Sequence, residues 1–177
     1  MTELAAAIAA FVVADVEGWP GLPSPARLSD LAHLLDVEPA DRYPGVIGEP
    51  PAPGVWLAVE SDRYAGGLRV WLDPDDSGQV VLLEGIEPVD AQGTFTEVPD
   101  LGEPDAALEV ALGPFWVPGG ERVHAGRGLA VRVNPDNGLL LGVVGFAPTT
   151  AEDYRARLRP HTEPTRPLLR HGAGGSS

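Results

Sequence analysis

Asp73, Asp75, Ser77, Gly78 and Glu84 have the types and spacing of a calcium-binding loop. Such a loop sets oxygen ligands at positions 1, 3 and 5, a glycine at 6 for the sharp turn, and a bidentate Glu at 12. The flanks contradict it. A calcium loop of this type needs a helix on each side, and both flanks here alternate as strands. Pro74 is also awkward at the second position. A hairpin turn made of Asp, Pro and Gly explains the same letters, so no metal is expected.

Other chemistry is thinly supplied. His33, His124, His161 and His171 include no pair at a metal-ligand spacing. His124, close to Glu121 on a short strand, is the one acid–base candidate, and it would need a cleft holding both. No Ser sits in G-x-S-x-G. Gly126-Arg127-Gly128 leads into a strand, where a nucleotide loop leads into a helix. Cysteine is absent, which removes disulfides, thiolate zinc sites and Cys nucleophiles. No catalytic residue and no cofactor is assigned, and the chain reads as a non-enzyme.

Charge is more informative. The 177 residues hold 26 acidic and 12 basic side chains, a net of −14, and every basic one is Arg. Residues 1–150 carry −16 and the last 27 carry +2, so the acid belongs to the folded part. This balance argues against nucleic acid, whose phosphates need cations to displace their counterions, and against anionic membranes. It favours a cationic protein partner, steered by the negative field.

The elements that must position these residues follow from periodicity. Residues 2–16 read as a core-packing helix with Ile8, Phe11 and Val12 on one face, stopped by Gly18 and Pro20. The run is too short for a membrane span and lacks the positive start of a signal peptide, so the cytoplasm is expected. Ser24 caps a second helix with a Leu28, Leu31, Ala32 and Leu35 stripe, ended by Pro39. Residues 41–53 read as loop. Strands follow at 55–60, 67–73 and 79–87. A helix is expected from Glu103 to Leu112, then strands at 121–126, 128–134 and 139–147, and a last helix capped by Thr149 or Thr150.

The segments GLRVWLDPDDSGQVVLLEGIEP and GLAVRVNPDNGLLLGVVGFAP align with one gap. Gly67, Leu68, Val70, Pro74, Asp75, Gly78, Gly85 and Pro88 meet Gly128, Leu129, Val131, Pro135, Asp136, Gly138, Gly145 and Pro148. We expect an α+β fold of two pseudo-repeats, each a helix plus an antiparallel β-meander, with helices packed on one side of the sheet. The domain is 1–160, the repeats are about 24–90 and 98–148, and 161–177 is a flexible tail.

The order of helical segment, LGEP and meander through GLAVRV resembles the helix-plus-meander unit of β-lactamase inhibitor protein and outer-membrane assembly lipoprotein folds. The ending GFAPTTAEDYRARL is similar to small actinobacterial proteins of immunity or inhibitor type. The likeness covers about half the chain, lacks those families' cysteines, and implies a binding scaffold with no catalytic residue. The expected function is therefore an acidic, immunity- or inhibitor-type module that neutralises a cationic toxin or enzyme. Trp71, Trp116 and Tyr64 would anchor the contact, since exposed Trp beside Arg marks interfaces. Asp73, Asp75, Asp76 and Glu84 would surround them. Burial of Trp71 under a second covered face is the competing expectation. A subunit of a homo-oligomer or larger assembly, paired through meander edges, is the alternative function.

Overall fold

The computed structural model describes residues 2–15, 18–22, 25–35, 54–60, 65–73, 75–76, 78–89, 92–94, 96–112 and 117–158. Ser24, Pro39, the 41–53 loop, the 113–116 turn and the 161–177 tail lie outside them. So do Tyr64, Trp116, His161 and His171.

Two helices come first, α1 (Glu3–Val12) and α2 (Leu28–Leu35). α1 is Ala-rich, with the highest intrinsic helix propensity. The Thr2 side chain accepts the Ala5 N–H at 3.1 Å and caps its start. It stops sooner than Gly18 would require. Val13 and Ala14 donate to Ala10 and Phe11 in a tightened last turn, and Ala14 then takes a left-handed φ of 62°.

The strands are β1 (Gly54–Glu60), β2 (Ala65–Leu72), β3 (Val80–Val89), β4 (Ala106–Leu112), β5 (Val117–His124), β6 (Leu129–Val133) and β7 (Leu140–Phe146). They form one antiparallel sheet in the order β1-β2-β3-β7-β6-β5-β4. The chain closes with α3 (Ala151–Asp153), which continues as a π-helical turn (Tyr154–Leu158). Among the described residues no helix is long and apolar enough to cross a membrane.

The residues expected to form a helix at 103–112 are a strand instead. Ala and Leu are strong helix formers, but Ala106 is buried, Ala107 exposed, Leu108 half-buried and Glu109 exposed. That is a period of two. Pairing with β5 over the whole length of β4 overrides the local preference. Pro104 and the left-handed Gly102 (φ 74°), whose N–H is accepted by Asp100, keep a helix from starting before it.

Both faces of the sheet are covered, which corrects the expectation of helices on one side. On the first face Leu68, Val70, Leu83, Leu129, Val131 and Val143 pack under Ile8, Phe11 and Val12 of α1. On the second, Trp71, Leu82, Val123, Ala130, Val144 and Phe146 pack under Tyr154 and Leu158. Each fully buried aliphatic or aromatic side chain contributes about 1.5–3 kcal/mol.

The junction between the two hairpins is β3 against β7. Glu84 stands opposite Val144, Leu83 opposite Gly145 and Gly85 opposite Val143. The inner pairings match as well: Leu68–Gly85 and Val70–Leu83 in one hairpin, Leu129–Gly145 and Val131–Val143 in the other. A register shift follows Trp71 in the first and Arg132 in the second.

α1 crosses this junction at close range. A Cβ on Gly85 would lie 3.1 Å from backbone atoms of Val12, and one on Gly145 would lie 2.9 Å from the Phe11 ring. Gly85→Val is expected to destabilise the fold by about 1–3 kcal/mol through overpacking. Denaturant unfolding measures it. Unchanged stability would show that α1 does not rest on the sheet here.

Candidate functional site

Of the seven residues proposed for partner contact, three reach the surface together. Asp73, Asp75 and Asp76 form the β2–β3 turn. The Asp73 carboxylate accepts the Asp75 N–H at 2.8 Å, and Gly78 takes the left-handed φ of 94° that closes the turn. Asp75 is exposed, while Asp73 and Asp76 are half-exposed. Arg27 donates to Asp76 at 2.9 Å and ties the turn to the segment before α2. The β6–β7 turn repeats the device. Asn134 accepts the Asp136 N–H at 2.9 Å, and Gly138 has φ 72°. Both are side-chain-stabilised hairpin turns.

The β2–β3 turn borders a groove of about 350 Å³, at the small end for ligand pockets. Trp19, Leu22, Val80, Val81, Pro148 and Leu158 supply its apolar wall, with Arg157 also lining it. Arg157 carries its own carboxylate, Asp153. Asp153 has its pKa lowered to about 2, first by that hydrogen bond and then by one from Thr149.

Trp71 and Glu84 are brought together, but inside. Each is 3% exposed. Neither offers a surface to a partner, because α3 and the π-helical turn cover their face. Glu84 also cannot serve as the twelfth position of a cation loop, since its oxygens are already engaged. Oε2 accepts from Arg69 Nε at 2.6 Å and from the Trp71 indole at 3.3 Å, and Arg69 Nη2 also contacts it. Oε1 accepts from Arg132 Nη1. The Arg69 guanidinium lies 4.4 Å from the centre of the Trp71 ring, a cation–π contact.

Arg132 extends the chain of charges. Its Nε lies 3.5 Å from Glu121 Oε1, and the Tyr154 hydroxyl donates to the same oxygen at 2.9 Å. Arg132 belongs to β6 and Glu84 to β3, with β7 between them. Gly142 is the β7 residue paired to Arg132, and it has no side chain to block the reach. Two Arg and two Glu thus alternate across the second face. Burial raises the Glu84 pKa, but the charges of Arg132 and then Arg69 outweigh it and hold the carboxyl below its ordinary range. Burial likewise opposes the charge on Arg132, and Glu84 and then Glu121 more than restore it.

Glu121 and His124 do not share a cleft. Glu121 pairs with Arg132 on the second face, whereas His124 pairs with Leu129 on the first, so the sheet separates them. Burial lowers the His124 pKa, and Arg127 lowers it further. Asp105 opposes the shift and Arg122 adds to it. The imidazole is neutral at pH 7.

The sequence reading missed the network. Its only trace there is a single charge on the alternate face of each apolar strand, such as Arg132 within LAVRV.

Glu84→Gln is expected to cost about 3–5 kcal/mol, because it leaves buried guanidinium groups uncompensated. Asp75→Asn, on the exposed turn, should stay within about 0.5 kcal/mol. The folded pKa of Glu84 lies below 4.5. Its ion pairs therefore stabilise fully above that value and are lost as pH falls through the lower folded pKa. Acid titration of stability should lose this component in Glu84→Gln. An unchanged acid transition would show that the network does not set it.

Compared with known proteins, the chain matches no family model, no curated protein and no solved structure.

Proposed function

We propose that this protein is a non-enzymatic acidic binding module, of immunity or inhibitor type, that neutralises a cationic protein. One observation carries the reading. The buried charges Arg69, Glu84, Arg132 and Glu121 balance two against two. The net charge of −14 therefore lies outside this network. A surplus of that size raises the association rate with a basic partner and repels acidic ones. The exposed turn at Asp73, Asp75 and Asp76 presents part of it, with Tyr64 and Trp116 as further proposed contacts. Trp71 and Glu84 act behind the surface, holding the sheet. The module works in the cytoplasm, as the absence of cysteine supports.

The two hairpins are read here as a duplicated meander. Support comes from the register: positions aligned in the sequence repeat, Glu84 and Val144, face each other at the centre of the sheet. Pairs on either side exchange under the same relation. The bridges Arg27–Gln79 and Glu97–Leu139 fall at equivalent places before each second strand. A helix precedes the first hairpin and strand β4 stands in the second half, so the likeness is confined to the meanders.

The test is affinity capture from lysate of the native host at low and high salt, with Asp73→Asn/Asp75→Asn as control. A stoichiometric basic protein, released by salt and bound more weakly by the variant, is the expected result. Recovery of the chain alone, at a mass above 18.5 kDa, would instead favour the reading as a subunit of a homo-oligomer.

A further inference from the structure

We propose that the outer edge of β4 is a strand-addition site for an extended, basic segment of a protein partner. This rests on the acidic-module reading and names how and where the partner is held. β4 ends the sheet, and among the described residues only β5 pairs with it. That pairing runs without a register shift from Ala106–Val123 to Leu112–Val117. An edge strand presents a row of backbone donors and acceptors to any incoming strand. Proteins usually blunt such an edge with Lys, Pro or a bulge. The sequence of β4, AALEVAL, has neither residue, and its pairing is straight.

Charge decides the occupant. Glu97, Asp100, Glu103, Asp105 and Glu109 are all exposed, and no basic residue lies between 97 and 112. A second copy pairing edge to edge would set these carboxylates against their own kind. A segment bearing Arg or Lys would meet opposite charge along the same line. The pleat adds a pattern, since residues directly opposite on neighbouring strands share a face. Glu109 stands on the first face, beside Gly120 of β5, where an added Cβ would meet nothing within 4 Å. Ala106 and Leu108 stand on the second, next to the buried cluster. The fitting strand therefore alternates basic and apolar residues. Backbone hydrogen bonds supply affinity and the alternation supplies selectivity.

The probe is a short synthetic peptide of alternating arginine and valine. Its control is the same peptide N-methylated at every second residue, which keeps the charge and loses strand donors. Amide hydrogen exchange and affinity are read at low and high salt. Binding is expected to protect amides within Ala106–Leu112. N-methylation should weaken it about tenfold or more, as lost strand hydrogen bonds require. Glu103→Gln/Glu109→Gln, with an unchanged unfolding midpoint, should weaken it about tenfold at low salt only. Equal binding of the methylated peptide would overturn the proposal. So would protection appearing at the Asp73–Asp76 turn instead, though the acidic-module reading would then survive. If neither basic peptide binds, both readings fall. Protection of β4 that grows with protein concentration, without peptide, would make a second copy the occupant and overturn the proposal too.

Discussion

Glu84 is the constraint around which the sheet is arranged. A carboxylate this deeply buried is tolerable only with close opposite charge and hydrogen bonds. Arg69 comes from the neighbouring strand of its own hairpin, and Arg132 comes from the other hairpin, two strands away. The ion pair to Arg132 therefore cannot form unless β3 and β7 pair in the observed register. A slip of one residue would turn the Glu84 side chain to the opposite face, against α1. Apolar contacts alone tolerate such errors more readily. Glu121 and Tyr154 extend the same requirement to β5 and the C-terminal turn. The Phe146 and Tyr154 rings, 4.6 Å apart between centres, seat that turn on the sheet.

Much of this architecture was legible. Leu-x-Val alternation and Asp/Pro/Gly turns gave both hairpins, because a period of two and residues suited to positive φ are local properties. The α1 and α2 stripes were legible for the same reason. Three features were not. β4 has helix-forming letters, and only its neighbour β5 makes it a strand. Trp71 was correctly placed out of phase with Leu68 and Val70, but alternation cannot say what covers the second face. Tyr154 and Leu158 cover it, more than eighty residues further along the chain.

The candidate site was legible only where it is local. The aspartates of the β2–β3 turn sit where their spacing placed them. Glu84, four residues into β3, carried the same charge and formal spacing, yet it belongs to the interior. Charge type predicts exposure on average, since buried acids are rare unless paired. The pairing partner here lies 48 residues away, so no local pattern could reveal it. Glu121 was misread in the same way, as a possible aid to His124 on the wrong face.

Burial of a balanced set of charges also shapes what remains outside. Because the network is neutral, it adds nothing to the external field, and the acidic surplus is left to the surface. An open strand edge is a hazard when its flanks are neutral, since copies can zip together. Flanked by carboxylates, the β4 edge becomes selective: self-pairing meets like charge at short range, and a basic strand does not. The same residues thus oppose self-assembly and attract a cationic partner, so keeping the protein from its own copies and recognising another chain need no separate features.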